Sequence, residues 1–176
     1  MSGGLPTSID PIWLADQETH LSGTIPLKRM TRLVAGCRSD AGEASVDLQF
    51  RSEPNGERRS VRGRIEASVE TTCERCLESM TLPLVAEIDM VIVTPEQVSV
   101  MDEHEDLLVA EGPMVLSELA ENELILAMPM IPMHPLDKCP ASELLKEQGI
   151  EKEKGQDGAK AESPFAKLAE LKRSDR

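Results

Sequence analysis

Apolar and polar positions alternate with period two through much of the front half of the chain. Val46, Leu48 and Phe50 are separated by Asp47 and Gln49; Val61, Gly63, Ile65, Ala67 and Val69 are separated by Arg62, Arg64, Glu66 and Ser68. Successive strand side chains point to opposite faces, so this pattern predicts two half-buried strands. Pro54-Asn55-Gly56 lies between them, and Asn-Gly tolerates the positive φ of a tight reversal, which makes the pair a hairpin. Leu82, Leu84, Ala86, Ile88, Met90 and Ile92 predict a third strand ending at Thr94-Pro95, and Thr19–Pro26 an earlier one.

The period then changes. Leu116, Leu119, Ala120, Leu124, Ala127 and Met128 recur at helical spacing behind Ser117, a suitable N-cap, and the helix should end before Pro129. Pro129-Met130-Ile131-Pro132 is expected to run extended and to lie across the sheet as an edge, because proline removes donors and restrains its predecessors. From Lys146 to Glu162 the chain is charged and almost without large apolar residues, so it cannot offset its ordering entropy and reads as a disordered linker. Ser163-Pro164 opens a short helix with Phe165, Leu168 and Leu171 on one face and Lys172-Arg173 at its C-terminal end, a docking helix for its own domain or, the reading favoured, for a partner. The expected organisation is a β-rich domain over 1–145 with a flexible N-terminus, a linker over 146–162 and an amphipathic helix over 163–173. The expected class is α+β: mainly an antiparallel twisted sheet or small open barrel, with one packed helix and a tethered C-terminal helix.

Composition narrows this picture. The 176 residues suffice for one domain with a core, which must be aliphatic because Trp13, Phe50 and Phe165 are the sole aromatics. Pro6, Asp10 and Asp16 interrupt every candidate leader segment, and no run is long and apolar enough to span a bilayer. A soluble cytoplasmic protein is expected, whose cysteines are thiols or metal ligands rather than disulfides. The net charge is −13, distributed unevenly: residues 28–75 carry 10 Lys+Arg against 8 Asp+Glu, residues 76–153 carry 3 against 17. An acidic field repels phosphate, so RNA contact should use the front half or the tail, while the acidic half suits a basic protein.

Cys73 and Cys76 have the spacing that lets two sulfurs reach one tetrahedral ion about 2.3 Å away, and His134 with Cys139 would complete a Cys₃His set for Zn. The same residues also read as structural thiols, or as a redox pair; the last is disfavoured because the motif does not open a helix. Cys37 reads as core. Arg58, Arg59, Arg62, Arg64 and Arg75 form the dense cationic group. Their strand face could hold phosphates, or could be a solvated face balanced by Glu57, Glu66 and Glu70; without interleaved aromatics it cannot stack bases. Glu118, Glu121 and Glu123, and the run from Asp102 to Asp106, read as helix-dipole and solubility charges rather than acid–base machinery.

Three blocks, taken together and in order, resemble the YceD family: Cys73-Glu-Arg-Cys76; Glu121-Asn-Glu-Leu-Ile-Leu-Ala-Met-Pro-Met-Ile-Pro-Met-His134 with Cys139 beyond; and Ser163-Pro-Phe-Ala-Lys-Leu-Ala-Glu-Leu-Lys-Arg173. The resemblance covers roughly residues 10–173. It implies a bacterial, non-enzymatic ribosome-biogenesis factor that supports synthesis, processing or stability of 23S (large-subunit) rRNA. The implied partners are a large-subunit rRNA precursor or a ribosome-assembly protein, with neither a membrane nor a small-molecule substrate. Another branch of the family carries further cysteines arranged like a zinc ribbon after the Leu-Pro block; here only His134 and Cys139 stand in that region. The competing reading is a zinc-stabilised protein-interaction module that does not act on RNA.

Overall fold

The structure, a computed structural model, describes residues 5–54, 58–101 and 104–142. The chain divides into a unit over 1–139 and a second over 140–176. The expected linker and C-terminal helix lie outside the described residues.

Period-two alternation gives the strands it predicts. β2 (His20–Pro26), β3 (Glu43–Ser52), β4 (Arg59–Thr72), β5 (Ser79–Val93) and β6 (Leu107–Val109) form one sheet in the order β2-β3-β4-β5-β6. The first four pair antiparallel, while β6 joins β5 in parallel. The sheet is open, not closed into a barrel. A separate two-stranded ribbon pairs β1 (Ser8–Ile9) with β7 (Met114–Val115). Register follows the pattern: Val46 faces Ile65, and Ile65 faces Ala86, so one sheet face collects Val46, Leu48, Phe50, Val61, Ile65, Val69, Leu84 and Ile88, all buried.

The helices cover that face. α3 (Leu116–Ala127) buries Leu116, Leu119, Ala120 and Leu124. It starts one residue before the expected cap: Val115 is the N-cap, without a side-chain bond, and Ser117 is buried in the first turn. The sequence signal fails here because tertiary structure supplies the acceptor; the Leu116 N–H donates to the Thr7 carbonyl at 3.1 Å, beside the β1–β7 ribbon. α1 (Pro11–Asp16) begins at an Asp-Pro pair, with Asp10 Oδ1 accepting from the Ile12 and Trp13 N–H groups at 3.1 Å each and Pro11 at the first helical position. α2 (Thr31–Ala35) has no local cap, since Met30 offers no acceptor.

One connection departs from expectation. Residues 129–135 form no strand and no sheet edge; β2 and β6 hold those positions. Pro129, Pro132 and Pro135 interrupt any continuous row of donors, so the segment bonds at single points. The Pro132 carbonyl accepts from the Glu74 N–H at 2.9 Å, which carries the chain to the tip of the β4–β5 hairpin.

Candidate metal centre

The hairpin tip spans residues 73–78 between Thr72 and Ser79. It is closed by the Cys73 N–H donating to the Glu78 carbonyl and the Leu77 N–H donating to the Cys73 carbonyl, both at 2.8 Å. Leu77 holds φ at +62°, a left-handed conformation that costs a residue with a Cβ roughly 1 kcal/mol. That reversal turns the chain back directly after Cys76, and the two sulfurs lie within 4.8 Å of each other.

The proline segment brings in the other two donors. The His134 N–H donates to Cys73 Sγ at 3.3 Å, and His134 Nδ1 stands 3.3 Å from Cys76 Sγ. Cys73 and Cys139 are buried, Cys76 and His134 partly so. The four ligand atoms of Cys73, Cys76, His134 and Cys139 all lie within 4.8 Å of one another. Ligands at about 2.3 Å in a tetrahedron stand roughly 3.8 Å apart, so the observed spacing is that of a four-coordinate cage slightly relaxed. Three soft sulfurs and one imidazole suit a zinc-like ion, and the sequence-predicted donors are the ones that meet.

Electrostatics favour ligation at Cys73. Burial pushes its thiol up, but N–H groups of Cys76, His134 and Arg75, with the Cys76 thiol, outweigh this and lower it to about 6. Cys76 is raised, first by burial and then by the neighbouring Cys73 and Cys139 sulfurs, against a lowering by the Glu78 N–H. An ion binding here would therefore meet a Cys73 that gives up its proton readily and would have to displace one held more firmly on Cys76. Cys37 stands outside the cluster, with its thiol donating to the Leu33 carbonyl at 3.3 Å and raised by burial.

The dense arginine group is divided. Arg58 bonds Glu105, Arg59 bonds Asp16 at 2.7 Å, and Arg62 bonds Asp89 at 2.9 Å; Arg64 bonds Glu66 at 2.9 Å and Glu87 at 3.1 Å. Of the balancing residues expected, Glu66 takes that part, Glu70 instead accepts from Ser79, and Glu57 lies outside the described residues. Arg75 differs from the others. Its Nη2 touches Met133 Sδ at 3.5 Å, and its buried Nη1 has no partner among the described residues. A Cys₃His centre holding a divalent ion carries net charge −1, and Arg75 is the cation within its turn. Phe165, Leu168 and Leu171 lie outside the described residues.

Sequence reasoning missed the role of Glu121. This carboxylate, 4% exposed, accepts from the Arg32 N–H at 2.6 Å, the Leu33 N–H at 3.2 Å, and Arg32 Nε and Nη2 at 3.0 and 2.8 Å. It thus caps α2 from α3 across 89 residues, and Asn122 Oδ1 takes a further bond from Arg32 at 2.6 Å. Burial pushes the carboxyl up, yet the bonds from Arg32 and Leu33 prevail and hold it below its ordinary value. The only available signal was the absence of any cap before Thr31.

Comparison with known proteins adds the following. The sequence model of the family described as large ribosomal RNA subunit accumulation protein YceD matches residues 61–172. A curated relative from Haemophilus influenzae, named large ribosomal RNA subunit accumulation protein YceD, is 30% identical, covering 96% of this chain and 96% of its own length. No solved structure matches the chain.

Proposed function

Since the chain belongs to the YceD family, we propose that it supports the synthesis, processing or stability of large-subunit rRNA by binding rather than by catalysis. The observation that carries this reading is the match, over 96% of both chains, with a relative whose name is large ribosomal RNA subunit accumulation protein YceD. The geometry supports a binding factor: hollows such as that of about 650 Å³ beside α2 and α3 are open, and a clasped hairpin tip presents loops on a rigid sheet. No described helix is long and apolar enough to cross a membrane.

Zinc is the ion we assign to the Cys₃His cluster, in a structural role: it would fasten the hairpin tip to the segment after α3. That cluster is also what favours the second reading, a zinc-stabilised module that binds protein and leaves RNA untouched. Deleting the gene and measuring large- against small-subunit rRNA, with co-sedimentation of the protein on large-subunit precursors, separates the two. A lowered ratio with co-sedimentation is expected. An unchanged ratio, in the cold as well as at normal growth temperature, overturns the rRNA reading.

A further inference from the structure

The protein's cations fall into two sets. Arg58, Arg59, Arg62 and Arg64 are each bonded to carboxylates, as is Arg32 to Glu121, so phosphate would have to share or displace a partner already in place. Arg29, Arg38, Arg51 and Arg75 have no carboxylate partner among the described residues; Arg51 pairs with Ser60, at the end of β4 away from Cys73. Arg29 and Arg38 belong with Lys28 and Arg32 to one region. Residues 19–39 contain four cations and no Asp or Glu, in a chain of net charge −13.

The fold draws this region together with the hairpin tip. The Arg38 N–H donates to the Glu70 carbonyl at 2.7 Å, and its Nη1 donates to Thr72 Oγ1 at 3.3 Å, immediately before Cys73 and the Arg75 turn. Glu121 fixes the Nε edge of Arg32 while the side chain stays 58% exposed. Arg29 and Arg32 line the 650 Å³ hollow with Thr31 and Asn122, so guanidinium, hydroxyl and amide donors share one opening. Acidic groups are present too: Glu118 and Glu121 line that hollow, and Asp40 and Glu43 stand around Lys28 at a neighbouring one, which removes Lys28 from the set. Glu121 is already paired with Arg32, and those charges of the acidic half that lie beyond about 8 Å are screened at physiological salt.

We propose that the exposed Arg29 and Arg38, flanking the carboxylate-bound Arg32, form the surface on which this protein holds the phosphate backbone of RNA. The inference rests on the rRNA reading above and specifies the site for it. Guanidinium groups without aromatic neighbours grip phosphates and read no bases, so binding is salt-dependent and tolerant of sequence.

The test uses the full chain and a fluorescein-labelled single-stranded RNA of mixed sequence, titrated by anisotropy between about 50 and 200 mM salt. Replacing Arg29 and Arg38 together by Gln should lower affinity about tenfold and reduce the slope of log affinity against log salt by about 1.4, at about 0.7 per lost single-strand contact. Both side chains are exposed, so the melting temperature should not change; Arg38→Glu serves as a second variant should the double change disturb folding. Arg62→Gln with Arg64→Gln should leave binding unaltered. Failure of the wild-type protein to bind this RNA at 50 mM salt, or equal losses from the strand pair, overturns the proposal. Returning the Arg29/Arg38 variant to a deletion strain distinguishes it from the parent reading: full restoration of a lowered rRNA ratio refutes this surface alone, whereas a deletion without effect on the ratio refutes the rRNA role alone.

Discussion

Glu121→Ala removes the acceptor of four hydrogen bonds, and the structure shows which losses matter. Arg32 is 58% exposed along its side chain, so its guanidinium regains water when the carboxylate goes, and an exposed ion pair contributes about 1 kcal/mol or less. The N–H groups of Arg32 and Leu33 cannot do the same, since the Leu33 bond is buried and the Arg32 bond partly so. Each orphaned donor costs about 1–3 kcal/mol. Glu121→Ala should therefore cost roughly 2–6 kcal/mol from the two orphaned donors, while Arg32→Ala, which leaves the carboxylate its two N–H bonds, should cost about 1–2 kcal/mol. The sign with pH follows from the lowered carboxyl. Its contribution is complete above the ordinary value of 4.5 and is lost as pH falls through the lower folded value, so Glu121→Gln should flatten the acid side of the stability profile. Urea unfolding followed by circular dichroism is the assay, because the one tryptophan, Trp13, is 59% exposed and reports burial poorly. Equal losses from Arg32→Ala and Glu121→Ala would refute the argument, since they would place the stabilisation in the ion pair and not in the remote cap.

Gly63 sits at φ +154°, and a Cβ there would stand 2.0 Å from the Asp47 carbonyl oxygen and 2.9 Å from Leu48 Cα. Both obstacles are backbone of the paired strand, so Gly63→Ala should destabilise by on the order of 4 kcal/mol and is checked by thermal melting. Cys73→Ser and Cys139→Ser should behave alike, each abolishing one equivalent of bound zinc by mass-spectrometric metal analysis and lowering the melting temperature; metal-free wild-type protein that stays fully folded would refute the structural role. Phe165→Ala, or removal of residues 163–176, should leave the melting temperature unchanged yet fail to restore rRNA in a deletion strain if that segment engages a partner; a large drop in melting temperature points to docking on its own chain.

The parts of the fold written as local period were legible in the sequence. Alternation placed Val46, Ile65 and Ala86 on one buried face, and helical spacing ended α3 ahead of Pro129. Parts set by distant pairing were not. β6 is three residues long and gains its identity only from β5, and the β1–β7 ribbon joins residues more than a hundred positions apart. At the site the donor types and the Cys-x-x-Cys spacing named all four candidate ligands, because coordination chemistry is carried by side-chain identity. What composition could not supply was pairing: which arginine meets a carboxylate depends on cross-strand register, as with Arg62 and Asp89. The Asp10-Pro11 start of α1 was a local signal, hidden by the shortness of the helix behind it.

The separation of the four donors along the chain also sets an order of events during synthesis. Cys73 and Cys76 leave the ribosome about sixty residues ahead of His134 and Cys139, which at ordinary elongation rates is roughly 3–12 s. During that interval β4 and the first part of β5 can already pair as a hairpin, while its two sulfurs have no nitrogen or third sulfur to share an ion with. The nascent protein thus passes through a stage with an exposed two-thiol tip, open to oxidation or to capture of an ion with the wrong geometry. The arrival of α3 and the proline segment ends that stage, so completion of the site marks completion of residues 1–139 as a folded unit.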